Sequence, residues 1–312
     1  MICDNLFPPH PAFNTETEVS APLKGVIAAI ATPVDAAGEP DLPRYLKLAR
    51  HLLDNGCDAL NILGTTGEAT SFSLAQRKRT MSALKDAGLP MGRMMVGTGA
   101  ASIADAEDLT KHAVSLGFAG ALIIPPFYYK GISNAGMLRF FERLVAATKD
   151  TPIPLYLYHF PALSGVPYSP SLVADLIGAF GKRIAGLKDS SGDMEYARGI
   201  AKAHPGFDVF PSNEATLIEA RTGIFAGCIS ATANLNSAWC GKGFHQGDEK
   251  ALATAVSIRK MFDGKVLISG VKATLAHIHR DPAFATPLPP MVTCDAAEQA
   301  HYAAEYDRLS AG

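Results

Sequence analysis

The stretch IAGLKDSSGDMEYARGIAKAHPGFDVFPSN, residues 184–213, contains one complete repeat of the pattern that decides the fold. It opens with a short apolar run, continues through a longer segment and reaches a second apolar run, FDVF. Short apolar runs that alternate with helical segments are typical of βα units, whose parallel strands are buried on both faces. We therefore expect a parallel sheet that is covered by helices.

The same alternation extends in both directions from this stretch, from Gly25 to about residue 246. It yields eight strand candidates: GVIAAIATP from 25, ALNILG from 59, RMMVGTG from 93, GALIIPP from 120, PLYLYHFP from 154, IAGLKDSSG from 184, FDVFPSN from 207 and AGCISATAN from 226. An open doubly wound sheet usually has about six strands, whereas a closed barrel has eight. The sequence therefore predicts an α/β fold of the (β/α)8 TIM barrel type.

Helix starts are marked by capping residues. Asp41 precedes a segment with leucines at steps of 3 and 4 residues, Ser73 and Gln76 form a capping box, and Ser169 is followed by Pro170 at the first helical position. Ser102 with Asp105 is a further candidate box. These signals fix the helix starts to within a few residues.

We expect three segments in the 312-residue chain. Residues 1–23 form an N-terminal extension with little order, residues 24–247 the barrel, and residues 248–312 a C-terminal helical extension packed on it. The extension is indicated by ALATAVSIRKMF and VKATLAHIHR, and by a final helix from Asp295. No linker separates a second domain from the barrel.

The composition indicates a globular protein that binds small molecules. Hydrophobic residues make up 48% of the chain and the formal net charge is -2, which gives no electrostatic footprint for nucleic acid. No apolar stretch of membrane-spanning length and no secretory signal is seen, so the chain is expected to be cytoplasmic and not bound to a membrane. The five cysteines are widely spaced, which predicts reduced thiols.

In a barrel of this type the chemistry lies at the carboxyl ends of the strands, which converge on one mouth. The residues that follow the strand candidates there include a lysine, several phenols and a glycine-bounded pair of threonines. They are Thr65, Thr66 and Gly67, then Tyr128 and Tyr129, Tyr158 and His159, Lys188 and Ser190, Ser212 and Glu214, and Ile229.

Lys188 is the first candidate for chemistry. A lysine at a strand end is often only solvated or ion-paired, but a desolvated lysine can form a Schiff base with a carbonyl substrate. Tyr158 lies one strand away, where it is either a core aromatic or a proton relay. The turn of Thr65, Thr66 and Gly67 is either a structural glycine turn or a receptor for a carboxylate.

Three motifs decide between these alternatives: GTTGE at 64–68, the tyrosine that opens YHFP at 158–161, and GLKDSSGD at 186–193. In order and spacing they resemble the dihydrodipicolinate synthase and N-acetylneuraminate lyase family of pyruvate-dependent class I aldolases, over about residues 24–247. The resemblance implies that Lys188 forms the Schiff base, that Tyr158 moves protons, and that Thr65 and Thr66 hold the carboxylate of a 2-oxo acid.

The resemblance also implies several further features. Tyr128, with Tyr129 as its rival, matches the tyrosine that reaches into a neighbouring subunit's proton relay, and Ile229 matches a residue lining the pyruvate pocket. Gly67, Ser190 and Ser212 join the expected substrate-binding residues. The assembly is expected to be a homotetramer, a dimer of dimers. No cofactor or metal is expected, because the lysine itself supplies the electron sink.

Two departures from the family pattern bear on the substrate. Leu163 stands where the synthase branch has an arginine for the second carboxylate of aspartate semialdehyde, and Glu214 is followed by Ala215 where the lyase branch has adjacent acids. If Glu214 faces the mouth, it should repel an anionic acceptor. The sequence thus predicts a neutral, hydroxylated aldehyde partner and a substrate of the 2-keto-3-deoxy sugar-acid type.

Other functions are open at this point. A dihydrodipicolinate synthase and a dehydratase of the same family are alternatives, as is a catalytically silent barrel that binds a 2-oxo acid. The segment VGTGAAS at 96–102 half resembles a dinucleotide fingerprint but lacks its third glycine and the later acid. His277 and His279 are two residues apart, which disfavours a metal-dependent aldolase.

Overall fold

The computed structural model describes residues 23–311 and confirms the (β/α)8 barrel. Its eight strands are β1 Gly25–Ala29, β2 Ala59–Ile62, β3 Met94–Gly97, β4 Gly120–Ile123, β5 Leu155–His159, β6 Ile184–Asp189, β7 Asp208–Pro211 and β8 Gly227–Ser230. Neighbouring strands pair in parallel in the order β7-β6-β5-β4-β3-β2-β1-β8. The N–H of Ala226 donates to the carbonyl oxygen of Val209 at 3.0 Å, which joins β7 to the start of β8.

Side chains alternate along each strand between two apolar cores. In β5, Tyr156 and Tyr158 point into the barrel, where Tyr156 packs edge-to-face with Phe210. Leu155 and Leu157 point outward into the core beneath the helices. Because both faces of the sheet are buried, the strands read as nearly continuous apolar runs. A polar side chain on the inward face must therefore lie in the barrel interior or at its mouth.

The structure describes twelve α-helices, four of which begin directly after the predicted caps Asp41, Ser73, Ser102 and Ser169. They are α1 Leu42–Asp54, α2 Leu74–Asp86, α3 Ile103–Leu116, α4 Asn134–Ala147, α5 Pro161–Ser164, α6 Pro170–Phe180, α7 Met194–Ala203, α8 Leu217–Arg221, α9 Ala233–Gly241, α10 Glu249–Lys260, α11 Leu267–His279 and α12 Ala296–Ser310. Ser73 and Gln76 form the full capping box. Ser102 accepts from the N–H of Asp105, which is one half of the capping box expected there; the reciprocal bond to the Asp105 side chain is not found in residues 23–311.

Helices α10 to α12 pack against the barrel through polar as well as apolar contacts. The hydroxyl of Tyr306 in α12 donates to the carbonyl oxygen of Leu235 at 3.1 Å. The amide of Asn236 donates to the carbonyl oxygen of Ala255 in α10 at 2.9 Å. Because α9 follows β8 directly, these bonds hold α10 and α12 close to the carboxyl end of that strand.

The expected N-terminal extension, residues 1–23, lies outside the described residues except for Leu23, which is buried. The cysteines that the structure describes, Cys57, Cys228, Cys240 and Cys294, are buried free thiols, and Cys3 lies outside the described range. Within residues 23–311, no helix has the length and apolar character needed to cross a bilayer.

Candidate active site

Lys188 and Tyr158 are direct neighbours across the pair β5 and β6. They occupy the same register position, both side chains face the barrel interior, and they are 3% and 4% exposed. The Nζ of Lys188 lies 4.4 Å from the centroid of the Tyr158 ring. The parallel register thus brings an amine and a phenol together inside the barrel, near the carboxyl ends of β5 and β6.

The phenol of Tyr158 reaches the turn after β2. Its hydroxyl oxygen lies 3.0 Å from the Oγ1 of Thr65, a hydrogen bond in which either group can donate. Thr66, the next residue, is 5% exposed. Within residues 23–311, no backbone oxygen accepts from the N–H groups of Thr65 and Thr66, so both groups are available to an anion.

The backbone of this turn is held in an uncommon conformation. Leu63 and Glu68, on either side of the Gly64–Gly67 segment, have φ angles of 52° and 54°, in the left-handed region that side chains rarely adopt. A Cβ on Gly67 would lie 3.0 Å from the carbonyl oxygen of Ile30, so a larger residue would push the turn away from β1. The hydroxyl of Thr32 donates to the carbonyl oxygen of Gly67 at 2.9 Å. Tertiary contacts therefore fix the position of the two threonines.

These residues open on a cavity of about 320 Å³ at the carboxyl end of the barrel. The predicted site residues that line it are Thr65, Thr66, Tyr158, Leu163, Lys188, Ser190, Ser212 and Ile229. Residues that the sequence analysis did not single out complete the wall: Phe160, Ala231, Arg259, Val266, Leu267 and Ile268. The last four come from α10 and the start of α11, and no strand-end motif marks them.

Glu214 is not at the mouth, contrary to the condition set in the sequence analysis. Its side chain is fully buried behind the cavity wall, where Oε1 accepts from the hydroxyls of Ser230 and Thr232 and from the amide of Asn236. Its Oε2 lies 3.7 Å from the NH1 of Arg259. Because these groups hold the carboxylate away from the cavity, it cannot repel an anionic substrate by direct contact.

Tyr128 and Tyr129 also lie outside the cavity. They are 75% and 72% exposed, in the loop between β4 and α4, and their rings contact each other edge-to-face with centroids 5.3 Å apart. Gly67 does not line the cavity either and serves the turn through its backbone. Neither phenol therefore completes the site of its own chain.

His159 faces away from the cavity, because it follows Tyr158 on the strand. Its Nδ1 accepts from the N–H of Tyr168 at 3.1 Å, and its ring stacks on Tyr196 with centroids 4.3 Å apart. Burial lowers the pKa of His159 to about 4, while the negative charge of Asp193 opposes this shift. The histidine is thus a neutral packing residue between β5 and the helices.

Lys188 is flanked by a carboxylate that does not reach the cavity. Asp189 follows it on β6 and therefore points outward, where its Oδ1 accepts from the N–H of Ser191 at 3.0 Å. Burial raises the pKa of this carboxyl group. The inward face at this end of the barrel thus presents the amine without a neighbouring acid.

Comparison with known proteins shows the family of this chain. The barrel is the fold of a family of lyases and aldolases. Residues 22–304 match the Dihydrodipicolinate synthetase family, and the chain belongs to that family. Its relatives include an uncharacterized DapA-like lyase of Chloroflexus aurantiacus, which is 33% identical over 303 residues and is matched over 93% of this chain and 98% of its own length.

Solved structures show the same fold. Dihydrodipicolinate synthase from Agrobacterium tumefaciens is 26% identical, with a TM-score of 0.85 over 91% of this chain and 99% of that one. YagE of E. coli, a prophage protein of the same family solved in complex with pyruvate, is 26% identical, with a TM-score of 0.82 over 93% and 99% of the two chains.

Proposed function

We propose that this protein is a Schiff-base-forming lyase that acts on a 2-oxo acid, with pyruvate as donor or product. The observation that carries the proposal is the chain of contacts from Lys188 to Tyr158 to Thr65, all within one cavity. A buried amine beside a phenol is the arrangement that nucleophilic attack on a ketone and proton transfer require.

The proposed chemistry begins with attack by the neutral Lys188 amine on C2 of the 2-oxo acid. The Tyr158 phenol gives its proton to the hydroxyl of the resulting carbinolamine, which leaves as water, so that a protonated imine and the Tyr158 phenolate remain. In cleavage, the C4 hydroxyl gives its proton to the Tyr158 phenolate, the C3–C4 bond breaks, and its electron pair passes to the imine to form an enamine. Protonation at C3 and hydrolysis then release pyruvate. Condensation is the same sequence in reverse.

Each neighbouring group has a part in this sequence. Thr65 and Thr66 bind the C1 carboxylate through their hydroxyl and N–H groups and so turn C2 toward the amine. Tyr158 acts as general acid and base, a role worth about 10²- to 10⁴-fold in rate. Ile229, which is fully buried at the cavity wall, packs against the methyl or methylene carbon.

We further propose that the substrate is a hydroxylated 2-oxo acid of the 2-keto-3-deoxy sugar-acid type. The exposed apolar side chain of Leu163 lines the cavity without offering an ionic group at that position, whereas the hydroxyls of Ser190 and Ser212 suit a hydroxylated chain. The alternatives are a dihydrodipicolinate synthase, a dehydratase and a silent binding barrel. We also propose a homotetramer located in the cytoplasm.

Imine trapping tests the proposed function. Incubation with pyruvate and borohydride should add one reduced pyruvyl group to the peptide that holds Lys188, and Lys188→Ala should abolish the label. Lys182→Ala, which removes an exposed lysine near the amino end of the same strand, is the matched control. Labelling at another lysine, or no labelling with any 2-oxo acid, contradicts the proposal.

Substrate assays separate the alternatives. Condensation rates should be compared for aspartate semialdehyde, glyceraldehyde, N-acetylmannosamine and glyoxylate at one enzyme concentration. The highest kcat/KM with aspartate semialdehyde would identify a synthase and refute the argument from Leu163.

A further inference from the structure

We infer that Arg259 binds a carboxylate at the far end of the substrate, so that the substrate is a 2-oxo diacid. This inference rests on the proposed function, because it assigns the acceptor half of the same cavity. Its basis is the position of a guanidinium group that comes from α10, outside the eight strand ends.

Arg259 lines the cavity that also holds Lys188. Its side chain is 28% exposed, which means that the guanidinium is largely enclosed and yet open on one side. In the part of the chain that the structure describes, Lys188 and Arg259 are the lining residues with a formal charge, and both are cationic. No acidic side chain shares the wall with them. The cavity is thus built for anions.

Glu214 anchors this guanidinium from behind. Its Oε1 is saturated by donors, whereas Oε2 lies 3.7 Å from Arg259 NH1 and accepts no hydrogen bond from residues 23–311. A buried carboxylate of this kind is costly unless a cation faces it. The pair therefore holds the arginine at the cavity wall, with NH1 on the side of Glu214.

The donors of Arg259 are not consumed by this contact. A guanidinium has five N–H donors in a planar fork, and no hydrogen bond from Arg259 to another residue in the range 23–311 is found. Such a fork matches the two oxygens of a carboxylate. These donors share the cavity with the apolar residues Val266 and Leu267, and one planar anion could use them.

The charges in the cavity also favour a substrate with a second carboxylate. After imine formation, the positive nitrogen on Lys188 is balanced by the C1 carboxylate that the threonine turn holds. Arg259 has Glu214 as its counter-ion at 3.7 Å, but a substrate with no further acceptor would leave the guanidinium N–H groups without a hydrogen bond. A second carboxylate at the distal end supplies that acceptor. In cleavage the C4 hydroxyl then becomes the carbonyl of an aldehyde that retains this carboxylate.

The position differs from the one where the synthase branch has its arginine. Leu163 lies in α5 after β5, whereas Arg259 lies on α10, where its guanidinium approaches Glu214 just after β7. The substrate must therefore extend from the threonine turn past Lys188 toward β7 and β8. An acceptor carboxylate bound by Arg259 would therefore be recognised differently from one bound by an arginine at the position of Leu163.

A pair of acceptors of equal length tests the inference. Tartronate semialdehyde and glyceraldehyde both have three carbons and differ in a terminal carboxylate against a terminal alcohol. With pyruvate, the wild type should show a kcat/KM about 10- to 100-fold higher for tartronate semialdehyde, the range of a charge-assisted hydrogen bond. The double variant Arg259→Gln with Glu214→Gln removes both charges together and should lose this preference.

Two further variants guard against a folding artefact. Arg259→Lys keeps a cation opposite Glu214 but loses the fork, so the preference should fall while the protein stays folded. Lys260→Gln removes the adjacent exposed charge on α10 and should leave the preference unchanged. A wild type that favours glyceraldehyde, or an Arg259 variant that slows both reactions equally, would overturn the inference.

A binding assay separates this inference from the proposed function. The protein should gain more thermal stability from 2-oxohexanedioate than from 2-oxohexanoate, and the double variant should respond equally to both acids. If pyruvate labels Lys188 but the two acids act alike, the role of Arg259 fails and the lyase proposal stands. If no imine forms, the lyase proposal fails. The comparison of 2-oxohexanedioate with 2-oxohexanoate still shows whether Arg259 binds a second carboxylate.

Discussion

Lys272 of α11 forms an ion pair with Glu68, the last residue of the GTTGE motif, and the two side chains are only 1% and 0% exposed. The pair is embedded in further hydrogen bonds. The Nζ of Lys272 donates to the carbonyl oxygen of Thr286 at 2.8 Å, and the N–H of Leu288 donates to Glu68 Oε2 at 2.6 Å. The C-terminal extension thus contacts the turn that carries Thr65 and Thr66 and holds it in place.

Breaking this pair should destabilise the protein strongly. Lys272→Met leaves the carboxylate of Glu68 buried without a cation, a change that typically costs about 3–5 kcal/mol. We expect this loss in the free energy of unfolding from urea titration, together with a raised KM for the 2-oxo acid because the turn loses its support. The double variant Lys272→Met with Glu68→Gln should recover part of the stability. An equal or larger loss in the double variant would show that the charge pairing is not the cause.

Removal of the Tyr158 hydroxyl should affect turnover far more than folding. Tyr158→Phe keeps the ring beside Lys188 but loses the bond to Thr65, so kcat should fall by about 10²- to 10⁴-fold, the usual contribution of general acid–base catalysis. The midpoint of thermal unfolding should change little. Thr65→Val removes the other partner of the same bond and should raise KM as well. This difference separates proton transfer by Tyr158 from carboxylate binding by Thr65. Near-normal turnover in Tyr158→Phe would mean that the phenol only packs.

The contact between Lys188 and Tyr158 could be predicted because both residues lie on strands. Once β5 and β6 are placed in register, the two-residue period sends Tyr158 and Lys188 into the barrel and His159 outward. The eight-strand barrel follows from the same periodicity. Local sequence therefore carries both the fold and the amine–phenol contact.

The acceptor half could not be predicted in the same way. Arg259 belongs to a helix whose period shows which face is buried but not what lies opposite that face. Glu214 follows a strand end, yet the short helical turn Glu214–Thr216 rotates its side chain behind the wall toward Ser230 and Thr232. Both outcomes depend on how the C-terminal helices pack on the barrel, which no short motif records.

The two exposed phenols after β4 can be told apart by substitution. If the proposed tetramer brings Tyr128 of one subunit into the relay of another, Tyr128→Phe should lower kcat about 10-fold or more, as expected for a lost proton-relay group. Tyr129→Phe, a matched control with the same side chain and nearly the same exposure, should leave kcat unchanged. Sedimentation of both variants shows whether the assembly persists. A drop in Tyr129→Phe alone would assign the relay to the neighbouring residue.

The stability of the protein should fall in mild acid because of His159. Its pKa is about 4 in the folded protein and about 6.5 in the unfolded chain, so the unfolded state binds more protons between these values. Stability contributed by the neutral ring is therefore complete above pH 6.5 and is lost progressively as the pH falls toward 4. Protonation of Nδ1 would also remove the acceptor for the N–H of Tyr168.

The expected size of this effect at pH 5 is about 2 kcal/mol, since each pH unit below 6.5 costs about 1.4 kcal/mol while the folded state stays unprotonated. Urea unfolding of the wild type and of His159→Asn at pH 7.5 and pH 5 provides the measurement. Asparagine does not titrate, so the variant should lose less stability on acidification, whatever its stability at pH 7.5. Burial also lowers the pKa of His279, which therefore contributes to the acid sensitivity of both proteins and cancels in the comparison. An equal loss in the two proteins would show that His159 is already protonated, or already exposed, in the folded state.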